Sequence, residues 1–188
     1  MIQKIAEIIV FYLEQHNAIR PEDRDICVYG CDIALYTFLS TAGLLVIGAG
    51  FSRLFETVIL IAIFYLNQTM GGGYHASTHI QCFLTMAIGV LVYIATFSLF
   101  ISVWVYTLLG VGALVALFTV PLVLHKNKQY LLVREAKLKL RSRWVLATET
   151  AAFGLILLLD NNLLVHACAI SLVLSAISRC VGAWLQKH

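Results

Sequence analysis

One stretch of the 188-residue chain gathers side chains that can do chemistry: Gly71-Gly72-Gly73-Tyr74-His75-Ala76-Ser77-Thr78-His79-Ile80-Gln81-Cys82. With Asn67, Gln68 and Thr69 it makes a polar island inside a run of 69 residues, 57–125, that contains no Lys, Arg, Asp or Glu. Polar residues at a membrane boundary mark a site by default. Cys82 is the strongest nucleophile type in the island, and His75 is an available base. A thiolate forms at neutral pH only beside an imidazole or a positive dipole.

Spacing decides whether the two can meet. On one continuous helix His75 and Cys82 share a face but stand about 10.5 Å apart along the axis, too far for a hydrogen bond. A dyad therefore requires the helix to start after His75. Three glycines disfavour helix before that point, and Thr78 with Gln81 has capping-box spacing. With Thr78 as N-cap, Cys82 sits in the first turns, where the helix dipole favours a thiolate. The competing reading is an inert cysteine packed in a membrane helix. His75, His79 and Cys82 at i, i+4 and i+7 also have a spacing that suits a metal. A zincin needs Glu after the first His, however, and Ala76 stands there. No metal and no other cofactor is expected.

The rest of the chain says what must position this island. Hydrophobic residues are 61% and charged residues 12%, where a soluble domain carries about 25% charged residues. That excludes disorder, a disulfide scaffold and most soluble enzymes, and predicts an all-α, polytopic membrane protein. The five cysteines are irregularly spaced, which argues against a disulfide framework. No cleavable signal peptide is visible at the N-terminus. Residues 2–16 read as an amphipathic helix, with Ile2, Ile5, Ile9 and Tyr12 or Leu13 on one face. It lies at the membrane interface or packs on the protein itself. Segment 1–25 is this amphipathic part of a single domain spanning 1–188.

About six spans follow from the apolar runs. The first covers 33–51. The second runs from Leu54 to Leu66, or to Met70 with its polar end. Residues 83–124 would make a helix of about 63 Å, twice a bilayer core, so they form two spans with a turn near 102–106. Residues 144–159 and 163–178 complete the set, with Arg179 snorkelling at the end. The 125–143 segment reads as a basic loop and, by the positive-inside rule, as cytoplasmic. Counting spans puts the 67–82 island and both termini on the same side.

At this point the residues resemble a known family. GGYHASTHIQC is similar to the signature of the accessory gene regulator B (AgrB) family, membrane-embedded cysteine endopeptidases that process quorum-sensing propeptides. Pro121 followed by His125-Lys126-Asn127-Lys128 resembles that family's proline-and-basic loop, and Tyr29-Gly30 after an amphipathic helix also fits. The resemblance implies Cys82 as nucleophile and His75 as general base. It implies a cell-membrane enzyme that cuts the acidic C-terminal tail from an AgrD-like propeptide through an acyl-enzyme thioester and closes a thiolactone or lactone. Gln68, Gly72, Gly73, Lys126, Lys128 and Glu149 are the candidate substrate-binding residues. One departure stands out: the family usually has arginine just before the glycines, and here the residues are Asn67-Gln68-Thr69-Met70.

Glu149 lies inside the fifth span and either pairs with a loop Arg or orients His75. Asp32 is a second candidate for the orienting role. Cys27 and Cys31 read as a packed or solvated helix face, His166 as structural. Expected partners are the propeptide, the lipid bilayer and, as one allowed arrangement, a second copy of the chain; no nucleic acid is expected. A peptide export component, or a catalytically weakened relative, is the alternative. Transporters of that kind often carry internal repeats, and none is visible in this chain.

Overall fold

The computed structural model describes residues 2–74, 78–99, 102–123 and 132–187; within these, the side chains of His79, 132–135 and Lys187 fall outside the description. All regular structure among the described residues is helical. The elements are α1 (Ile2–Gln15), a 3-10 turn (Pro21–Asp23), α2 (Arg24–Gly50), α3 (Leu54–Gly71), α4 (His79–Thr96), α5 (Val103–Thr119), α6 (Leu132–Leu158) and α7 (Asn162–Lys187).

The chain divides into two compact units, Met1–Val46 and Ile47–His188, with the division inside α2. In the first unit, α1 buries only the small residues Ala6 and Val10, and leaves Ile5, Ile8, Phe11 and Tyr12 exposed. The predicted amphipathic face thus remains open, as an interfacial helix requires. Asn17, in the left-handed region at φ 54°, closes α1. The Ala18 N–H reaches back to the Leu13 carbonyl at 2.9 Å, a Schellman-type ending. Arg24 then pairs with Glu14 at 3.5 Å across the turn.

In the second unit α7 is the hub, packing chiefly against α5 and α3. Its buried face carries Ala167, Ala169, Ser171, Ser175 and Ala176, and small residues let helix backbones approach closely where hydrophobicity gives no drive. The two serines bond to their own helix: Ser171 Oγ donates to the Ala167 carbonyl at 2.7 Å, and Ser175 Oγ to the Ser171 carbonyl at 2.9 Å. On α5, Gly110 admits the Phe153 ring of α6 against the backbone. The outward faces stay apolar; Leu108 is 73% and Trp104 74% exposed. Such surface is stable only against lipid, so this is an all-α membrane protein. Among the described residues, three helices, Pro21–Gly50, Leu54–Gly71 and Asn162–Gln186, are long and apolar enough to cross a membrane, and Ile80–Thr96 and Val103–Thr119 are shorter apolar helices.

Three expectations are corrected. The third apolar helix ends at Thr96 and the fourth begins at Val103, earlier than a turn at 102–106 would have it, so Trp104 and Tyr106 lie in the first turn of α5. The basic segment is not loop throughout, because α6 begins at Leu132 and runs unbroken through Trp144. Ala136, Lys137, Leu138, Lys139, Leu140 and Arg141 are all strong helix formers. Finally, α7 continues past Ser178 to Lys187, so Arg179 sits within it, only 2% exposed. It does not snorkel.

At the end of this unit where α3 begins, His166 is held tightly. Its Nε2 lies 2.9 Å from Thr96 Oγ1, and its ring stacks 3.9 Å from Tyr106 and 4.0 Å from Phe97. The structural reading of His166 agrees with this enclosure.

Candidate active site

The site begins where α3 stops. Gly71 is the last helical residue, and Gly72 turns the chain at φ 68°, ψ 176°, a backbone region that is essentially glycine-only. Its N–H bonds to the Gln68 carbonyl at 3.1 Å, and the Gly71 carbonyl accepts from the Val123 N–H at 3.1 Å. The strand-like segment after α5 thus crosses the turn. A Cβ on Gly72 would overlap the Val123 carbonyl, and one on Gly73 would overlap the Gln68 amide. Gly73 and Gly182 lie in close backbone contact. The Tyr74 N–H then donates to Ser178, to its carbonyl at 3.0 Å and its Oγ at 3.2 Å. The turn is therefore fastened to α7 by main-chain bonds.

The helix bearing Cys82 starts anew beyond it. Thr78 is the N-cap, with φ −127° and ψ 151°, and its Oγ1 accepts from the Gln81 N–H at 3.3 Å. The Cys82 N–H closes the first turn onto the Thr78 carbonyl at 3.0 Å. The continuous helix that would hold His75 and Cys82 about two turns apart does not form, because Thr78 is extended. Cys82 is half-buried in the first turn of α4, where the unpaired N–H groups of a helix start favour negative charge. Half-burial works against a standing thiolate, so a thiolate at this position would need a base to take its proton. His75 itself lies outside the described residues, as do Lys126, Lys128 and the His79 side chain. Among the described residues no three metal-ligating side chains come together.

Beneath the glycine turn lies a buried polar cluster. Asn67 Nδ2 donates to both oxygens of Glu149, at 2.9 and 3.1 Å, and to the Ile63 carbonyl at 3.1 Å. Gln68 Nε2 donates to Ser178 Oγ at 2.7 Å. Arg179 Nη1 donates to the Leu117 carbonyl at 2.7 Å, and its guanidinium packs against Gly71. Glu149 thus finds an amide on α3 as its partner, where an ion pair with a loop Arg was expected; no such pair is present among the described residues. Of the candidates, Gln68, Gly72, Gly73 and Glu149 come together here, with Cys82 opening the next helix.

Asn67, Ser178 and Arg179 were not assigned to the site from sequence. The available signal was an ionisable residue inside an apolar segment, read at Arg179 as a helix end. Leucine at Asn67 would leave the Glu149 carboxylate buried without its donor. The Asn67→Leu variant is expected to lose about 2–4 kcal/mol of stability, and Glu149→Leu in the same chain to restore part of it. Unfolding midpoints in detergent for the two single variants and the double variant give the coupling; purely additive losses would contradict the pair.

The sequence profile of accessory gene regulator B matches residues 3–179, nearly the whole chain. No curated protein and no solved structure matches it. That match supports a role in the accessory gene regulator system of quorum sensing and, in general, interaction with an AgrD-type propeptide. With a match of that extent, carried on an all-helical membrane fold, the chain belongs to the accessory gene regulator B family.

Proposed function

We propose that this protein is a membrane cysteine endopeptidase that cuts an AgrD-type propeptide and cyclises it, with Cys82 as nucleophile and His75 as base. The observation that carries the reading is the restart of helix at His79 under a Thr78 cap. It leaves Gly72, Gly73, Tyr74 and Thr78 out of both helices and places Cys82 in the first turn. A base on the connecting segment then has a route back to the sulfur that an unbroken helix would deny it.

His75 takes the Cys82 proton as Sγ attacks the carbonyl carbon before the tail. The tetrahedral species collapses, the C–N bond breaks, and the tail amine leaves with the proton held by His75. The acyl group remains on Cys82 as a thioester. A Cys thiol or Ser hydroxyl within the peptide attacks that carbonyl, His75 takes its proton and passes it to Cys82 Sγ, and the C–S bond to Cys82 breaks. The product is a thiolactone or lactone. Ring closure wins over hydrolysis where the thioester is shielded from water, and a site at the bilayer edge supplies that shielding.

The helices α2–α7 are read as six spans, α6 through its apolar C-terminal half, with the basic 125–143 segment, the catalytic island and both termini cytoplasmic. Lys128→Cys in a background without native cysteines is expected to react with a membrane-impermeant maleimide only in opened cells. Labelling of intact cells would overturn the orientation. The activity itself is tested with purified protein in lipid and an AgrD-type propeptide, read by mass spectrometry. A released tail plus a product one water lighter than the linear, hydrolysed fragment supports the reading; an intact propeptide after prolonged incubation counts against it. Chelation is expected to leave the rate unchanged, and a reversible loss would favour zinc.

A further inference from the structure

The chemistry above leaves one buried cation without a task. Arg179 is 2% exposed, and a guanidinium that deep is unfavourable unless its donors are paired and its charge balanced. Only Nη1 is satisfied, by the Leu117 carbonyl. Nε and Nη2 have no partner among the described residues. These two nitrogens share one edge of the planar group, and their N–H bonds run parallel. That edge grips both oxygens of a carboxylate at once.

The surroundings supply charge balance without filling the edge. The guanidinium lies between the C-terminal ends of α3, which stops at Gly71, and α5, which stops at Thr119. Helix C-termini carry partial negative charge, so they tolerate a cation when nothing is bound. Glu149 is within electrostatic reach of Arg179, yet both its oxygens are held by Asn67. Asn67 Oδ1 and Gln68 Oε1 are also buried and unpartnered. The unused donors press on Gly71 and the unused Gln68 acceptor on Gly73. Buried donors and acceptors left unpaired around one turn match a ligand that carries both, as an acidic peptide does.

We propose that Arg179 forms a carboxylate-binding subsite beside the 71–74 turn and holds an acidic group of the peptide substrate. Ser178, its chain neighbour, bonds to Tyr74, so the subsite and the segment leading to the catalytic island are fixed to the same part of α7. The assignment of the ligand rests on the peptidase reading, whereas the binding needs no catalysis. A cation that only pinned the helices would fix stability and leave selectivity for acid over amide untouched.

The test uses the full-length Cys82→Ala protein in lipid nanodiscs, where no turnover by that sulfur can occur. The probe is a fluorescent AgrD-type propeptide, compared with the same peptide whose tail Asp and Glu are replaced by Asn and Gln. The acidic peptide is expected to bind about tenfold more tightly. Arg179→Gln is expected to reduce that preference to less than about threefold. Arg179→Lys keeps a buried cation but not the fork, and is expected to fall between the two, so the proposal stays testable if the Gln variant does not fold. No preference with Arg179 in place overturns the subsite. So does an undiminished preference in Arg179→Lys, or one that disappears only with Lys126→Gln and Lys128→Gln. Turnover by the Cys82→Ala protein would instead defeat the nucleophile assignment and leave the binding result standing.

Discussion

Cys82→Ala and Cys82→Ser are expected to lower propeptide processing by at least about 10⁴-fold, the scale on which loss of a covalent nucleophile acts. The serine variant is informative because it keeps size and shape. A hydroxyl half-buried in the first turn of α4 is a far weaker nucleophile at neutral pH than a thiol with a base nearby. The other four cysteines are expected to be dispensable as alanine or serine. Cys168 is buried against the bundle and Cys180 lies exposed on α7, and neither belongs to the elements that carry the glycine turn or the start of α4. Product formation by purified variants in lipid, followed by mass spectrometry, measures the effect. Wild-type rates in Cys82→Ala would exclude covalent catalysis at this position, while loss of activity in the Cys180 variant would move the chemistry to α7.

Gly72→Ala is expected to be the most damaging of the small substitutions outside the nucleophile. The position combines φ 68° with ψ 176°, which costs a residue with a side chain roughly 1–3 kcal/mol. The added methyl would also meet the Val123 carbonyl, and that segment cannot retreat without losing its bond to Gly71. The turn would shift, and with it the path that leads to His75. We expect a stability loss of about 3 kcal/mol and a drop in processing of at least about tenfold. Gly89→Ala is the matching control: it is mid-helix in α4, with nothing within 4 Å of the new methyl. It should be neutral or stabilising by up to about 1 kcal/mol. Equal effects of the two alanines would remove the special status of the turn.

The local signals in the sequence were the reliable ones. Thr78-x-x-Gln81 marked a helix start because an N-cap acts within one turn, and the cap is present in the structure. The long apolar stretch after Cys82 required a break because no single helix of that length fits a bilayer, although the aromatic residues drew it a few positions too far along the chain. Charge misled at the basic segment. Lysines and arginines were read as loop, whereas 132–143 continue α6, since helix formation depends on spacing more than on net charge. The burial of Arg179 was out of reach for a different reason. Its partners are Leu117 on α5 and Gly71 on α3, and no periodicity within α7 shows which helix ends converge on it. The same holds for Glu149, whose donor Asn67 arrives from α3. Both are consequences of packing between distant elements, and composition carries no record of them.

Trapping the covalent intermediate tests the central claim most directly. Purified protein in lipid is mixed with an AgrD-type propeptide, quenched in acid at short times and digested for mass spectrometry. The account predicts a peptide containing Cys82 that carries the mass of the propeptide without its tail. The adduct should be cleaved by neutral hydroxylamine, as a thioester is, and be absent from Cys82→Ala. Tail release with no adduct at any time, or an adduct on another residue, would contradict it.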